Sequence, residues 1–129
     1  MPIWLAPADS RRWLIATATG HLSLKELAAF IKTHRVGDRL RWPLLFDASA
    51  TTTDIALHEV EQLAQAAVRA KDQVGEERAP VALIPPADAA AFALMERYET
   101  LCALKGIGPT RVFRSREDAE KWLIEVVAP

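Results

Sequence analysis

At 129 residues, half of them hydrophobic and a quarter charged, the chain has the make-up of one soluble globular domain over 1–129. It is long enough to bury roughly two thirds of its unfolded surface, so it needs no disulfide or metal staple. A formal net charge of −1 leaves no long-range field to draw in nucleic acid or an anionic membrane, and the single cysteine, Cys102, excludes an internal disulfide and suits a reducing cytoplasm. The N-terminus lacks a basic start followed by a long apolar run, and no stretch approaches the ~20 apolar residues that span a bilayer, so neither a secretory signal nor stable membrane insertion is expected.

In chain order, "IWL" and "RRWLIATATG" read as two adjacent strands, the second rich in β-branched and aromatic residues and closed by Gly20. Ser23 with Glu26 three residues later forms a capping box ahead of Leu24, Leu27, Ala28 and Ile31 at helical spacing. That first helix ends near "THRVGD", where Gly37 supplies a stop. "PLLFDA" is a short apolar run without alternation, as in a strand covered on both faces, with Pro43 at its start. A second helix is predicted from about Ile55 to Lys71, with Val60, Leu63, Ala64, Ala67 and Val68 on one face.

After the polar break "KDQVGEER" comes another buried strand, "APVALI", and then the turn "PPAD". A third helix carries Ala91, Leu94, Met95, Tyr98, Leu101 and Cys102 on its buried side and stops at "KGIGPT". "RVFR" is the last strand. "SREDAEKWLIEVV" is the last helix, opened by Ser115 with Asp118 and anchored by Ala119, Trp122, Leu123 and Val126. The order β-β-α-β-α-β-α-β-α predicts an α/β fold: a single-layer, mostly parallel mixed sheet of four to five strands with about four helices. The two adjacent N-terminal strands predict one antiparallel pairing.

Four stretches together resemble a known family. Gly20-His21-Leu22-Ser23, "LLFDAS", "PVALIPPADAAAFALMERYETL" and "TRVFRSREDAEKWL" are similar to the corresponding pieces of STAS domains, and more closely to the small SpoIIAA-like (STAS/CRAL-TRIO-type) bacterial proteins. The resemblance spans nearly the whole chain but rests on core and capping residues, so it speaks to fold first. It implies a small non-catalytic or uncharacterised domain, used in regulation or in binding a protein or an apolar ligand. In STAS antagonists of anti-sigma factors, a serine after the central strand is phosphorylated within an Asp-Ser-Ser-Gly pattern. Here the corresponding stretch is "ASATTTDIAL", with Asp47 and Ser49 in place and no Asp-Ser-Ser-Gly.

The candidate binding or regulatory loop is therefore Asp47, Ser49, Thr51, Thr52, Thr53 and Asp54, at the carboxyl end of a parallel strand, where open α/β sheets place ligands. A phosphate on Thr52 or Thr53 would face the positive end of the second helix. Equally, Asp54 or one of the threonines can serve only as an N-cap. With the start of the second helix and the "PPAD" turn at residues 85 to 88, this loop would form one contact edge.

His21, His34 and His58 are too scattered for a metal pattern, and no cofactor is expected. A Ser49/His58/Asp47 nucleophilic set lacks the surroundings of a nucleophile elbow, so no enzyme activity is expected. Cys102 shares a helical face with Leu94 and Tyr98 and reads as a buried thiol. The glycines of "KGIGP" follow a helix, as in a C-cap, where a phosphate loop would precede one. Arg11, Arg12, Arg35, Arg39, Arg41, Arg111, Arg114 and Arg116 are interleaved with acids and read as solvated surface, not as a nucleic-acid patch. Trp4, Trp13, Trp42 and Trp122 are candidates to line an apolar cavity or to plug the core. The expected partner is another protein, with a small apolar ligand as the alternative.

Overall fold

In the computed structural model, which describes residues 3–8, 13–35, 41–74 and 78–127, five strands form one sheet in the order of the chain. They are β1 (Ile3–Ala8), β2 (Trp13–Leu22), β3 (Leu44–Thr53), β4 (Val81–Ile84) and β5 (Thr110–Val112). β1 pairs antiparallel with β2, and β2 to β5 are parallel. The helices are α1 (Leu24–His34), α2 (Leu57–Val74), α3 (Ala89–Leu104) and α4 (Arg116–Val127). The element order and the single antiparallel pair are as the sequence predicts. The Trp4 side chain, Arg11, Arg12, Gly37 and Arg39 lie outside the described residues.

Strand order decides where the helices go. Each crossover from β2 to β5 steps one place in the same direction, and right-handed crossovers then put α1, α2 and α3 on one face. Alternate strand residues Leu14, Ala16, Leu44, Phe46, Val81 and Leu83 bury that face against α1 and α3. The Phe30 and Phe46 rings meet edge to face at 5.4 Å. α4 follows the last strand and crosses to the other face, where Ala119 and Leu123 cover Trp13, Leu45, Ala82 and Ile84. Val126, expected on the buried side of this helix, is exposed.

The caps hold as read. Ser23 and Glu26 form the reciprocal capping box of α1, and the Asp118 amide donates to Ser115 Oγ at 3.2 Å. Asp88, in the "PPAD" turn, caps α3 by accepting from the Ala90 and Ala91 amides. Gly106 closes α3 with a φ of 62°, in the left-handed region that glycine enters without penalty.

The stretch after Asp47 departs from expectation. It is not a loop: β3 continues to Thr53, and β2 likewise runs past Gly20 to Leu22. Thr19–Leu22 pair with Ala50–Thr53 beyond the end of β4, so the two strands form an arm projecting from the carboxyl edge of the sheet. Three successive β-branched threonines favour the extended backbone of such an arm. A register shift between Thr17 and Thr19, and Gly20 at φ 74°, supply the local twist. Nor is Asp54 the N-cap of α2. That helix begins at Leu57, and Glu59 Oε1 accepts from the Ala56 amide at 2.8 Å.

α2 sits apart from the sheet. Its main packing partners are α3 and α1; against α3 it sets Val60, Ala64 and Ala67 on Leu101 and Cys102. Over the sheet it presents Ala67 and Ala70, too short to fill the distance to the strands. The helix therefore bridges α1 and α3 and leaves a space beneath it.

Candidate functional site

The space beneath α2 is a cavity of about 120 Å³, roughly ten times what one water needs. Its floor is the sheet face of Leu44, Phe46, Val81 and Leu83; Leu63, Ala67 and Ala70 of α2 form its roof. α1 closes one side with Leu27, Phe30 and Ile31, and α3 the other with Ala91, Leu94 and Met95. The lining is almost wholly apolar. Interiors normally pack to the density of organic crystals with few voids larger than a water, so a space of this size marks a place to look for a ligand.

The six residues expected to act together are divided. Asp47 turns to the α4 side: its Oδ1 accepts from the Ser49 amide at 3.0 Å and from Ser49 Oγ at 2.6 Å. Its Oδ2 lies 4.0 Å from an Arg116 guanidinium nitrogen. Thr51 and Thr53 reach the cavity wall instead. Thr51 is buried and donates to the Ala48 carbonyl at 2.7 Å. Thr53 donates to the Leu22 carbonyl at 2.8 Å and accepts from the Ile55 amide, which ties the tip of the arm together. Thr52 is exposed, and exposed Asp54 lies 3.4 Å from His21 Nε2. The arm is thus one wall of the cavity on one side and an open edge on the other.

Two arginines escaped the sequence reading. Arg35, just past α1, and Arg78, just before β4, looked like solvated charge in polar breaks, yet both are buried and both line the cavity near the starts of β3 and β4. Arg35 donates to the Trp42 carbonyl at 2.9 Å. Arg78 donates to the Ala79 carbonyl, to Thr110 Oγ1 and to Cys102 Sγ. Burial, and then the like charge of Arg78, lower the pKa of Arg35 to about 9, with Tyr98 opposing. Tyr98, also on the wall, is pushed well above its ordinary value by burial and then by hydrogen-bonded Cys102, against the pull of the two arginines. No one-dimensional signal separates these arginines from surface ones; only the fold brings them together.

Other expected groups are placed differently. Trp13, Trp42 and Trp122 do not line the cavity: Trp13 and Trp122 belong to the core under α4, and Trp42 packs against the core on the opposite face. Cys102 is buried, as read. His58 is exposed on α2. Arg114 stacks over Phe92 at 4.2 Å, Arg111 over Phe113 at 5.4 Å, and Arg116 pairs with Glu120. Among the described residues, no group of three His, Cys, Asp or Glu is placed to hold a metal, and no helix is long and apolar enough to cross a membrane.

No protein-family model matches the sequence, and none of the curated proteins matches it. Among solved structures it is similar to an uncharacterised protein of the DUF3478 family with a SpoIIAA-like fold from Shewanella loihica PV-4. The two share 16% identity over 94% of this chain and 91% of that one, with a TM-score of 0.53. At that identity the likeness speaks for architecture alone. The α/β chain described above has a SpoIIAA-like fold.

Proposed function

We propose that the chain is a non-enzymatic binding module that holds a small apolar ligand between its sheet and α2. The observation that carries this reading is the apolar cavity of about 120 Å³. α2 rests on two neighbouring helices, so it can rise or settle to admit a ligand without disturbing the sheet ladder. The cytoplasm of a bacterium is the proposed setting, in keeping with the lone buried thiol.

The test is displacement of the neutral fluorophore 1-aminoanthracene by decan-1-ol. Saturable one-to-one displacement is the expected outcome. Failure of either compound to bind saturably overturns the reading.

A second reading, a regulatory or protein-interaction module of the STAS type, draws on the open side of the arm. Ser49, Thr52 and Asp54 are exposed there. Capture from the native host with a Ser49→Ala/Thr52→Ala variant tests it. Loss of a partner that the wild type retains supports this reading; an unchanged set of partners ends it.

A further inference from the structure

We infer that the ligand of this cavity is an unbranched hydrocarbon chain of about ten carbons, and that Ala70 is the stop that sets its length. The inference rests on the cavity being a ligand site, as proposed above.

What the wall withholds excludes a polar ligand body. Arg35, Thr51, Thr53, Arg78 and Tyr98 all lie along it, yet the lining is almost wholly apolar, because their polar atoms are turned into the protein. Thr51 and Thr53 donate to the Ala48 and Leu22 carbonyls, and Arg35 donates to that of Trp42. The Arg78 guanidinium is directed at Ala79, Cys102 and Thr110, and Tyr98 is hydrogen-bonded with Cys102. What the arginines show to the space is the apolar stem of each side chain. A polar group carried inside would lose its water and gain no partner, so the occupant is held by methylene contact alone.

Length and volume together fix its shape. α2 lies over the space from Val60 to Ala70, roughly 15 Å of helix. Room for roughly ten waters is room for about as many methylene groups. In line, that many methylenes reach along most of the roof. A branched chain of the same size would be shorter and would need width that the volume does not supply.

The two ends differ. Leu44, Ala70, Val81 and the two arginine stems close the end where β3 and β4 begin, and all of them are buried. At the other end, Thr53, Ile55 and Leu94 are only half-buried. The chain therefore enters beside the arm, leaves its polar terminus there and runs under α2 until it meets the methyl group of Ala70.

Binding of hexan-1-ol, octan-1-ol, decan-1-ol and dodecan-1-ol is compared by displacement of 1-aminoanthracene, with wild type and Ala70→Leu. In wild type the affinity should rise about fourfold per added methylene as far as decan-1-ol, and dodecan-1-ol should bind no more tightly than decan-1-ol. Ala70→Leu moves the stop inward, so it should weaken decan-1-ol at least about tenfold and change hexan-1-ol by no more than about twofold. The branched isomer 3,7-dimethyloctan-1-ol should bind wild type at least about tenfold more weakly than decan-1-ol.

If dodecan-1-ol gains over decan-1-ol by the same step as the shorter alcohols, the length inference is wrong while the apolar site stands. The same holds if Ala70→Leu weakens hexan-1-ol and decan-1-ol alike, or neither. A branched isomer that binds as tightly as decan-1-ol overturns the single-chain shape. If no alcohol binds saturably, both readings fall. Circular dichroism confirms that Ala70→Leu is folded; if it is not, Ala70→Val, a smaller addition, serves for the same comparison.

Discussion

Arg78 donates to the hydroxyl of Thr110, the first residue of β5, and so ties the segment entering β4 to the neighbouring strand from inside the protein. The backbone reinforces this link: the Arg78 amide donates to the Ile107 carbonyl at 3.0 Å. Gly108, at φ 146°, lets the chain pass so close to the Arg78 carbonyl that a Cβ would collide with it. The guanidinium is thus held in place by its surroundings before any ligand arrives.

Arg78→Met should leave the unliganded protein as stable as wild type, to within about 1 kcal/mol. Losing a buried charge compensates for losing hydrogen bonds to neutral acceptors. Arg78→Ala, which also removes the stem, should cost about 2–4 kcal/mol. Urea unfolding midpoints of the two variants separate charge from packing. A large loss in the Met variant would mean that the guanidinium itself holds the fold.

Tyr98 is the single tyrosine of the sequence, so its ionisation can be followed directly by tyrosinate absorbance. An ordinary phenol ionises near pH 10, and burial holds folded Tyr98 neutral well above that. Above pH 10 the unfolded chain releases a proton that the folded chain keeps. The contribution of Tyr98 is therefore complete below pH 10 and is lost as pH rises toward its folded value. Arg35 acts in the opposite sense above about pH 9, where the folded chain gives up a proton that the unfolded chain keeps. Tyrosinate should appear well above pH 10; a reversible titration near pH 10 in the folded protein would contradict the desolvation of this half-buried tyrosine's hydroxyl.

The division between what the sequence shows and what it hides follows the range of the interactions. The capping boxes and the run of elements are legible because their partners lie within a few residues, as with Ser23 and Glu26. The arm is not, because the threonines of β3 become strand only through pairing with Gly20–Leu22, some thirty positions earlier. In the sequence, Ala67 sits on the same stripe as Val60 and Leu63 and reads as ordinary core, yet it roofs the cavity. The cavity is a mismatch between the small volumes of Ala67 and Ala70 and the distance to the sheet, which no periodicity encodes. Arg35 and Arg78 were hidden for the same reason.

Thr53→Val should destabilise by about 1–2 kcal/mol in urea unfolding, because it leaves the Leu22 carbonyl and the Ile55 amide without the hydroxyl that joins them. Thr52→Val, at an exposed position on the same arm, should change stability by no more than about 0.5 kcal/mol. Equal effects would show that the arm is not tied at its tip in this way.

Asp88→Ala removes the side chain that accepts from two free amides at the start of α3, and should cost about 1 kcal/mol in the same measurement. Asp88→Asn should recover most of it. No loss on Asp88→Ala would mean that solvent serves these amides equally well.

Ala91, in the first turn of α3, faces the cavity. Ala91→Leu should fill part of it, weakening decan-1-ol binding at least about tenfold while leaving stability unchanged or raised by up to about 1 kcal/mol. Undiminished binding in this variant would place the alcohol elsewhere.

The most direct measurement of the cavity claim is an amide NMR titration of the ¹⁵N-labelled protein with decan-1-ol. Saturating shifts should appear at Leu63, Ala67, Leu94 and Met95, which surround the cavity, and not at Glu117, Lys121 and Glu125, exposed on α4 across the sheet. Shifts confined to α4, or none that saturate, would contradict a ligand site beneath α2.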